Sequence, residues 1–311
     1  MDCSNRKLKN TLIASSVFLV PLIINKLVFF MAERKYPLNE SFKTYDWRLG
    51  KVAYSVKGSG KPLVLIHGAK AGSSSAVWTK NVKSLAENYR VYTIDLLGYG
   101  ASERVNTTYT AYTYTSLIND FITDIVGKGA AVIAEGEGAM FALSAYKKNP
   151  KYFKKLILIC PKGINERFAV NEDKKFRILY SLPIIGESFY LINVSMCAVR
   201  NTLKNMISNK EKTKILTEKF YSAAHFGGGL NRFVYASYKA NYMNTDIKPY
   251  ISEIKIPCMF IWGEQAEDYD SFEEIQGLTN RAEYVVFEDT ASLPNYENAD
   301  EFNKIAKEFL K

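Results

Sequence analysis

At 311 residues, 47% hydrophobic and 14% aromatic, the chain has ample material for a buried core, which excludes wholesale disorder and admits one large α/β domain or two small ones. Its 41 Lys/Arg against 32 Asp/Glu leave a net charge of +9, but no recognised nucleic-acid motif accompanies the surplus. Four cysteines (Cys3, Cys160, Cys197, Cys258) without paired spacing suggest neither a disulfide framework nor a zinc site, and the chain has two histidines, His67 and His225.

The basic tail 1–10 precedes an apolar run, TLIASSVFLVPLIINKLVFFM at 11–31, long enough to cross a bilayer as a helix. Its interruptions are Pro21 and the Asn25-Lys26 pair, and Lys26 is near enough to one end to snorkel. A cleaved signal peptide is the rival reading, because Arg6, Lys7 and Lys9 form a basic leader. The site after the run is poor for cleavage, with bulky Phe30 two residues before Ala32, so an uncleaved anchor is preferred. The charge bias then leans toward a cytoplasmic N-terminus and a cell-membrane protein whose main domain, beyond a tether at 32–42, lies outside the cytoplasm.

From residue 43 strands and helices alternate, the pattern of a largely parallel sheet covered on both faces. WRLGKVAYSVKG predicts a hairpin, PLVLIHG a buried strand, AVWTKNVKSLAEN an amphipathic helix and RVYTIDLLG the next strand. SLINDFITDIV predicts a helix, Ala130–Ala134 a strand turning into a helix near Gly138, and KLILICP another strand. Residues 163–250 carry helical stretches and no convincing strand. IPCMFIWGE and AEYVVFEDT then resume the sheet, and ADEFNKIAKEFL closes the chain as a helix.

LVLIHGAKAGSSSAVW, IDLLGYGAS, IAEGEGAMFALSAYKKNPKYFKKLILICPKG, IPCMFIWGEQAED and FEDTASLPNYENADEFNKIAKEFL follow one another as the segments of the α/β-hydrolase superfamily do. The resemblance spans roughly residues 45–311 apart from the insert. It implies one domain over 43–311, an eight-stranded type of mostly parallel sheet flanked by helices, and a helical cap at about 163–250, with the N-terminal transmembrane helix added. It also implies an oxyanion loop of His67, Gly68, Ala69 and Glu137, and a shaping turn of Asp95, Gly98, Gly100 and Ser102.

Carried over position by position, the resemblance finds no catalytic triad. The strand-to-helix elbow Ala134-Glu135-Gly136-Glu137-Gly138 puts Gly136 at the nucleophile, the acid position falls on Ala266, and the base position on Ser292. Without an oxygen or sulfur at the elbow no acyl-enzyme forms there, and without an imidazole nothing shuttles protons readily at neutral pH. Substitutes are Glu135 or Glu137, each needing a shifted register that crowds the turn, and Cys160 at a strand end. Their ordinary readings are helix-N-terminal charge and a buried structural thiol. Glu264, Glu267 and Asp268 crowd the acid loop, while Ser73, Ser74 and Ser75 suit a turn and a helix cap.

No phosphate loop, dinucleotide fingerprint or metal-ligand cluster is present, so neither cofactor nor metal is expected. Residues 162–255 hold 15 Lys/Arg against 8 Asp/Glu, around the apolar stretch 178–198. That pattern suits either a solvated cap face or a surface leaning on anionic lipid. Two functions follow as expectations. One is a membrane-anchored, non-hydrolytic protein that binds a small or lipid-like ligand or a protein partner. The other is an ester, lipid or peptide hydrolase using non-standard residues.

Overall fold

The computed structural model describes residues 19–36, 42–164 and 173–311. Its centre is an eight-stranded sheet: β1 (Lys43–Trp47), β2 (Gly50–Lys57), β3 (Lys61–Ile66), β4 (Tyr89–Ile94), β5 (Ala130–Glu135), β6 (Phe153–Ile159), β7 (Cys258–Gly263) and β8 (Glu283–Phe287). The spatial order is β1-β2-β4-β3-β5-β6-β7-β8. The first two pairings, β1 with β2 and β2 with β4, are antiparallel and the rest parallel. Apolar runs such as Leu63–Ile66 and Leu156–Ile159 are buried on both faces because helices cover the sheet on each side.

The chain runs from β3 outward to β4, then returns to place β5 on the other flank of β3. This reversal opens a crevice at the carboxyl ends of β3 and β5, where open α/β sheets bind ligands. Register pairs Ile66 with Ala134, so His67-Gly68 and Glu135-Gly136 emerge side by side at the rim.

Helix α4 (Gly136–Lys148) begins directly at the elbow, so the strand runs one residue further and the helix starts two residues earlier than the sequence suggests. Gly136 has φ +56°, the left-handed region that glycine enters freely. Gly138 is needed for another reason, since a Cβ there would lie 2.3 Å from the His67 carbonyl oxygen. The predicted helix at 76–88 is broken into a short turn at Ser75–Trp78 and α2 (Val82–Leu85). Ser74 caps that turn, and Ser75 N–H is drawn away to the Asp95 carboxylate at 2.7 Å.

The cap segment comprises helices α5 (Lys174–Ser181), α6 (Ile185–Asn193), α7 (Met196–Lys204), α8 (Lys210–His225) and α9 (Asn231–Lys239), with no strand among its described residues. Buried Arg104, in the loop after β4, ties cap to sheet. Its Nε donates to Asn231 Oδ1 at 2.9 Å, one terminal nitrogen to Ala223 O at 3.2 Å, and the other to Gly100 O at 2.6 Å. Helix α13 (Ala299–Leu310) closes the chain as predicted.

The expected membrane-spanning helix over 11–31 falls only partly within the described residues. Residues 11–18 lie outside the described residues, and no described helix is long and apolar enough to cross a membrane. Residues 19–33 do form a helix, α1, but it is folded onto the cap. Asn25 donates to Ile184 O at 3.2 Å and to Ser188 Oγ at 3.1 Å, and Phe29 stacks on Tyr190. The Asn25 amide is thereby satisfied by protein rather than left unpaired among apolar side chains.

The two glycines of contrasting surroundings give a stability test. Gly138→Ala is expected to destabilise by about 1–3 kcal/mol through the clash with His67. Gly277→Ala, exposed and unobstructed within α11 (Asp270–Leu278), should instead stabilise by about 0.5–1 kcal/mol. Urea midpoints of the two variants check the contrast, and equal shifts would contradict it.

Candidate active site

The rim of the crevice holds two carboxylates on the backbone donors of the β3 loop. Gly68 N–H donates to Glu135 Oε1 at 2.5 Å, and Ala69 N–H donates to Glu137 Oε2 at 2.9 Å. Both glutamates are buried. A Cβ at Gly68 would lie 3.0 Å from oxygens of both, so the pair converges on one point beside this glycine. From the cap, Tyr238 on α9 donates to Glu137 Oε1 at 3.4 Å.

Burial raises the Glu135 carboxyl to about 7, against the pull of the Gly68 hydrogen bond, and the neighbouring Glu137 pushes it the same way. Near neutral pH Glu135 therefore exchanges a proton while buried, a property expected of functional acids and bases.

His67 is bound at both ring nitrogens. Nε2 accepts from Leu96 N–H at 3.0 Å, so Nδ1 carries the proton and donates to Gly68 O at 2.5 Å. Burial lowers its pKa, and the neutral ring serves as a brace for the loop. His225 is remote from the elbow, its Nδ1 donating to Tyr221 O and its ring packed against Phe29 of α1. Neither imidazole is available as a base at the elbow.

The Cys160 thiol is fully buried, and burial pushes its pKa well above the ordinary range, which leaves it protonated and unreactive. Ala266 is buried in the turn after β7, while Ser292 shares a cavity with Gly136, Glu135, Glu137 and Lys162. Beside the elbow, Lys162 Nζ meets Asp268 Oδ2 at 2.6 Å. Burial alone would lower the lysine, yet Asp268 outweighs it and holds the ammonium charged. Glu264 and Glu267, from the same loop as Asp268, point to solvent.

Sequence reasoning missed Lys162 and Tyr238. Lys162 had a usable signal, since it follows a parallel strand by three residues and such positions face the crevice. Tyr238 reaches the site only through the cap's folding, which no local pattern encodes. The elbow cavity leaves about 10 Å³, as does a second one between Tyr99, Arg104 and Tyr190, each the room of about one water.

The turn Asp95-Leu96-Leu97-Gly98-Tyr99-Gly100-Ala101-Ser102 shapes this rim. Asp95 accepts from Ser75 N–H and Ala101 N–H, both at 2.7 Å, and Tyr99 hydroxyl donates to Ala69 O at 2.6 Å. Gly100 has no alternative, because a Cβ would sit 2.2 Å from the Asp95 carboxyl.

Sheet order, elbow and cap together define the α/β-hydrolase fold. The family profile described as alpha/beta hydrolase fold matches residues 61–190, in agreement with that fold. Among relatives, an uncharacterised hydrolase of Bacillus subtilis is 22% identical over 65% of this chain and 72% of its own length. The first curated relatives match over only 40% of their length. Among solved structures, a meta-cleavage product hydrolase from Pseudomonas fluorescens superposes with TM-score 0.72 at 20% identity, covering 88% of this chain and 98% of that one. A bacterial membrane phospholipase A superposes with TM-score 0.69 at 19% identity, covering 98% and 96%.

The Glu135 proton gives a stability signature. Unfolded, this carboxyl loses its proton near its ordinary value of 4.5; folded, it keeps it to about 7. Between those values the folded state binds the extra proton, so stability falls as pH rises through the window. Glu135→Gln removes the effect, and its Tm advantage over the parent chain should grow by about 2 °C or more from pH 5 to pH 8. A pH-independent difference would refute the assignment.

Proposed function

We propose that this α/β-hydrolase-fold protein does not carry out serine-type hydrolysis at its elbow and uses the fold to bind a small or lipid-like ligand or a protein partner. One observation carries the reading: the backbone N–H groups of Gly68 and Ala69, which would stabilise an oxyanion, are held by the chain's own Glu135 and Glu137. The emptied triad positions Gly136, Ala266 and Ser292 agree with it. A ligand larger than water entering the crevice has to displace the cap, since about 10 Å³ is available.

A second reading, hydrolysis through non-standard residues, is the one the comparisons favour. Relatives and structural neighbours carry names such as hydrolase, enol-lactonase and phospholipase. Chemically it would rest on the same pair, with Glu135 near 7 supplying a proton beside Glu137 in a cavity with room for about one water.

A panel of p-nitrophenyl esters from acetate to palmitate separates the two. The non-hydrolytic reading expects turnover no faster than buffer, and clear turnover by the purified chain would overturn it. The second expects turnover that falls roughly hundredfold or more in Glu137→Gln and in Glu135→Gln. Turnover untouched by either change would sink that version.

A reconstruction tests the role of the carboxylates directly. The triple change Gly136→Ser, Ala266→Asp, Ser292→His should stay inactive while the glutamates hold the donors. A Cβ at Gly136 has open space, its nearest neighbour being Gly68 Cα at 4.0 Å. Adding Glu135→Ala and Glu137→Ala frees both N–H groups and should raise acetate-ester turnover by roughly 10²-fold or more. Activity in the triple variant equal to that in the quintuple one would show that the carboxylates block nothing.

A further inference from the structure

Eighteen large apolar side chains are exposed among the described residues, and thirteen of them belong to α1, α5, α6 and the α5–α6 turn. Helix α1 turns Asn25, Phe29 and Ala32 inward at helical spacing and leaves Ile24, Leu27 and Met31 more than half exposed. On neighbouring α6, Gly186 and Tyr190 face inward while Ile185, Phe189 and Ile192 line the outer face. A soluble surface scatters such residues singly, and a concentration of this kind marks a contact.

The charges around the patch identify its occupant. Lys26 is the one charged residue in α1 before Glu33, and Arg34 and Lys35 follow it exposed. Lys174, Lys175 and Arg177 stand exposed on α5. The acids of the same elements are turned to protein partners. Glu33 accepts from Gly227 N–H, Asp173 caps α5, and Glu187 pairs with Arg232 at 3.0 Å. What faces outward is therefore apolar surface rimmed by cations, the complement of an anionic bilayer surface.

We propose that α1 and the outer face of α5–α6 form one in-plane docking surface for a bilayer containing anionic lipid, with α1 lying on the membrane as part of the cap. The crevice then opens beneath a lid that touches lipid, because α6 contributes Tyr190 to the cavity against Tyr99 and Arg104. The surface is independent of whether the elbow hydrolyses anything.

Flotation of the full chain with phosphatidylcholine vesicles, with and without 30% phosphatidylglycerol, tests the proposal. The chain is expected to float with the anionic vesicles at least tenfold more than with neutral ones, and less as salt rises. The paired change Leu27→Gln and Ile192→Gln should cut flotation at least tenfold, while Ile215→Gln, exposed elsewhere on the cap, should not. Circular dichroism of the paired variant confirms its fold, and Met31→Gln with Phe189→Gln provides a second pair. Flotation unchanged by both pairs would overturn the proposal in favour of attachment by other residues. Self-association abolished by the same pairs, without vesicle binding, would assign the surface to a second copy of the chain instead.

Discussion

The close seating of α4 on the end of β3 constrains everything at the crevice. Gly138 lets the helix approach the His67 carbonyl, and that approach sets the elbow angle at Gly136. His67 is in turn fixed by hydrogen bonds on both ring nitrogens, which holds the Gly68 and Ala69 N–H groups toward the elbow. A helix N-terminus and two convergent backbone donors make a strongly anion-attracting point. The chain fills that point with carboxylates from the residues on either side of the elbow, so the attraction is satisfied within the protein.

The cap reinforces the closure. Arg104 is buried and bonded to groups from both the sheet loop and the cap, so separating them would leave a guanidinium short of partners in an apolar setting. Tyr238 adds a contact from α9 to Glu137. Opening the crevice therefore requires several buried polar contacts to break together, a barrier quite different from the swinging of a loosely held loop.

Much of the fold was legible because buried parallel strands write themselves as short apolar runs, as in PLVLI and LILI, bounded by turn residues. The elbow was legible because its small residues answer to steric needs visible in sequence spacing. The carboxylate placement was not, since ordinary helix-terminal glutamates and glutamates bonded to the β3 loop look alike until side-chain directions are known. Helix α1 carries a second signal. Mean hydropathy registers 11–31 as one apolar run, whereas the helical phase of Asn25, Phe29 and Ala32 separates a protein-facing stripe from an outward one. Residues 76–88 misled because Asn81, between the two short pieces, turns inward to bond Asn295 O and Asn303 Oδ1 from the far end of the chain.

The neutral brace at His67 bears on how the molecule meets acidity. His225 is likewise depressed by burial, so neither imidazole takes up charge as its surroundings become mildly acidic. Glu135, sealed inside, is raised by burial to about 7 and does titrate there. A drop from neutral toward pH 6 would thus protonate a carboxylate inside the crevice.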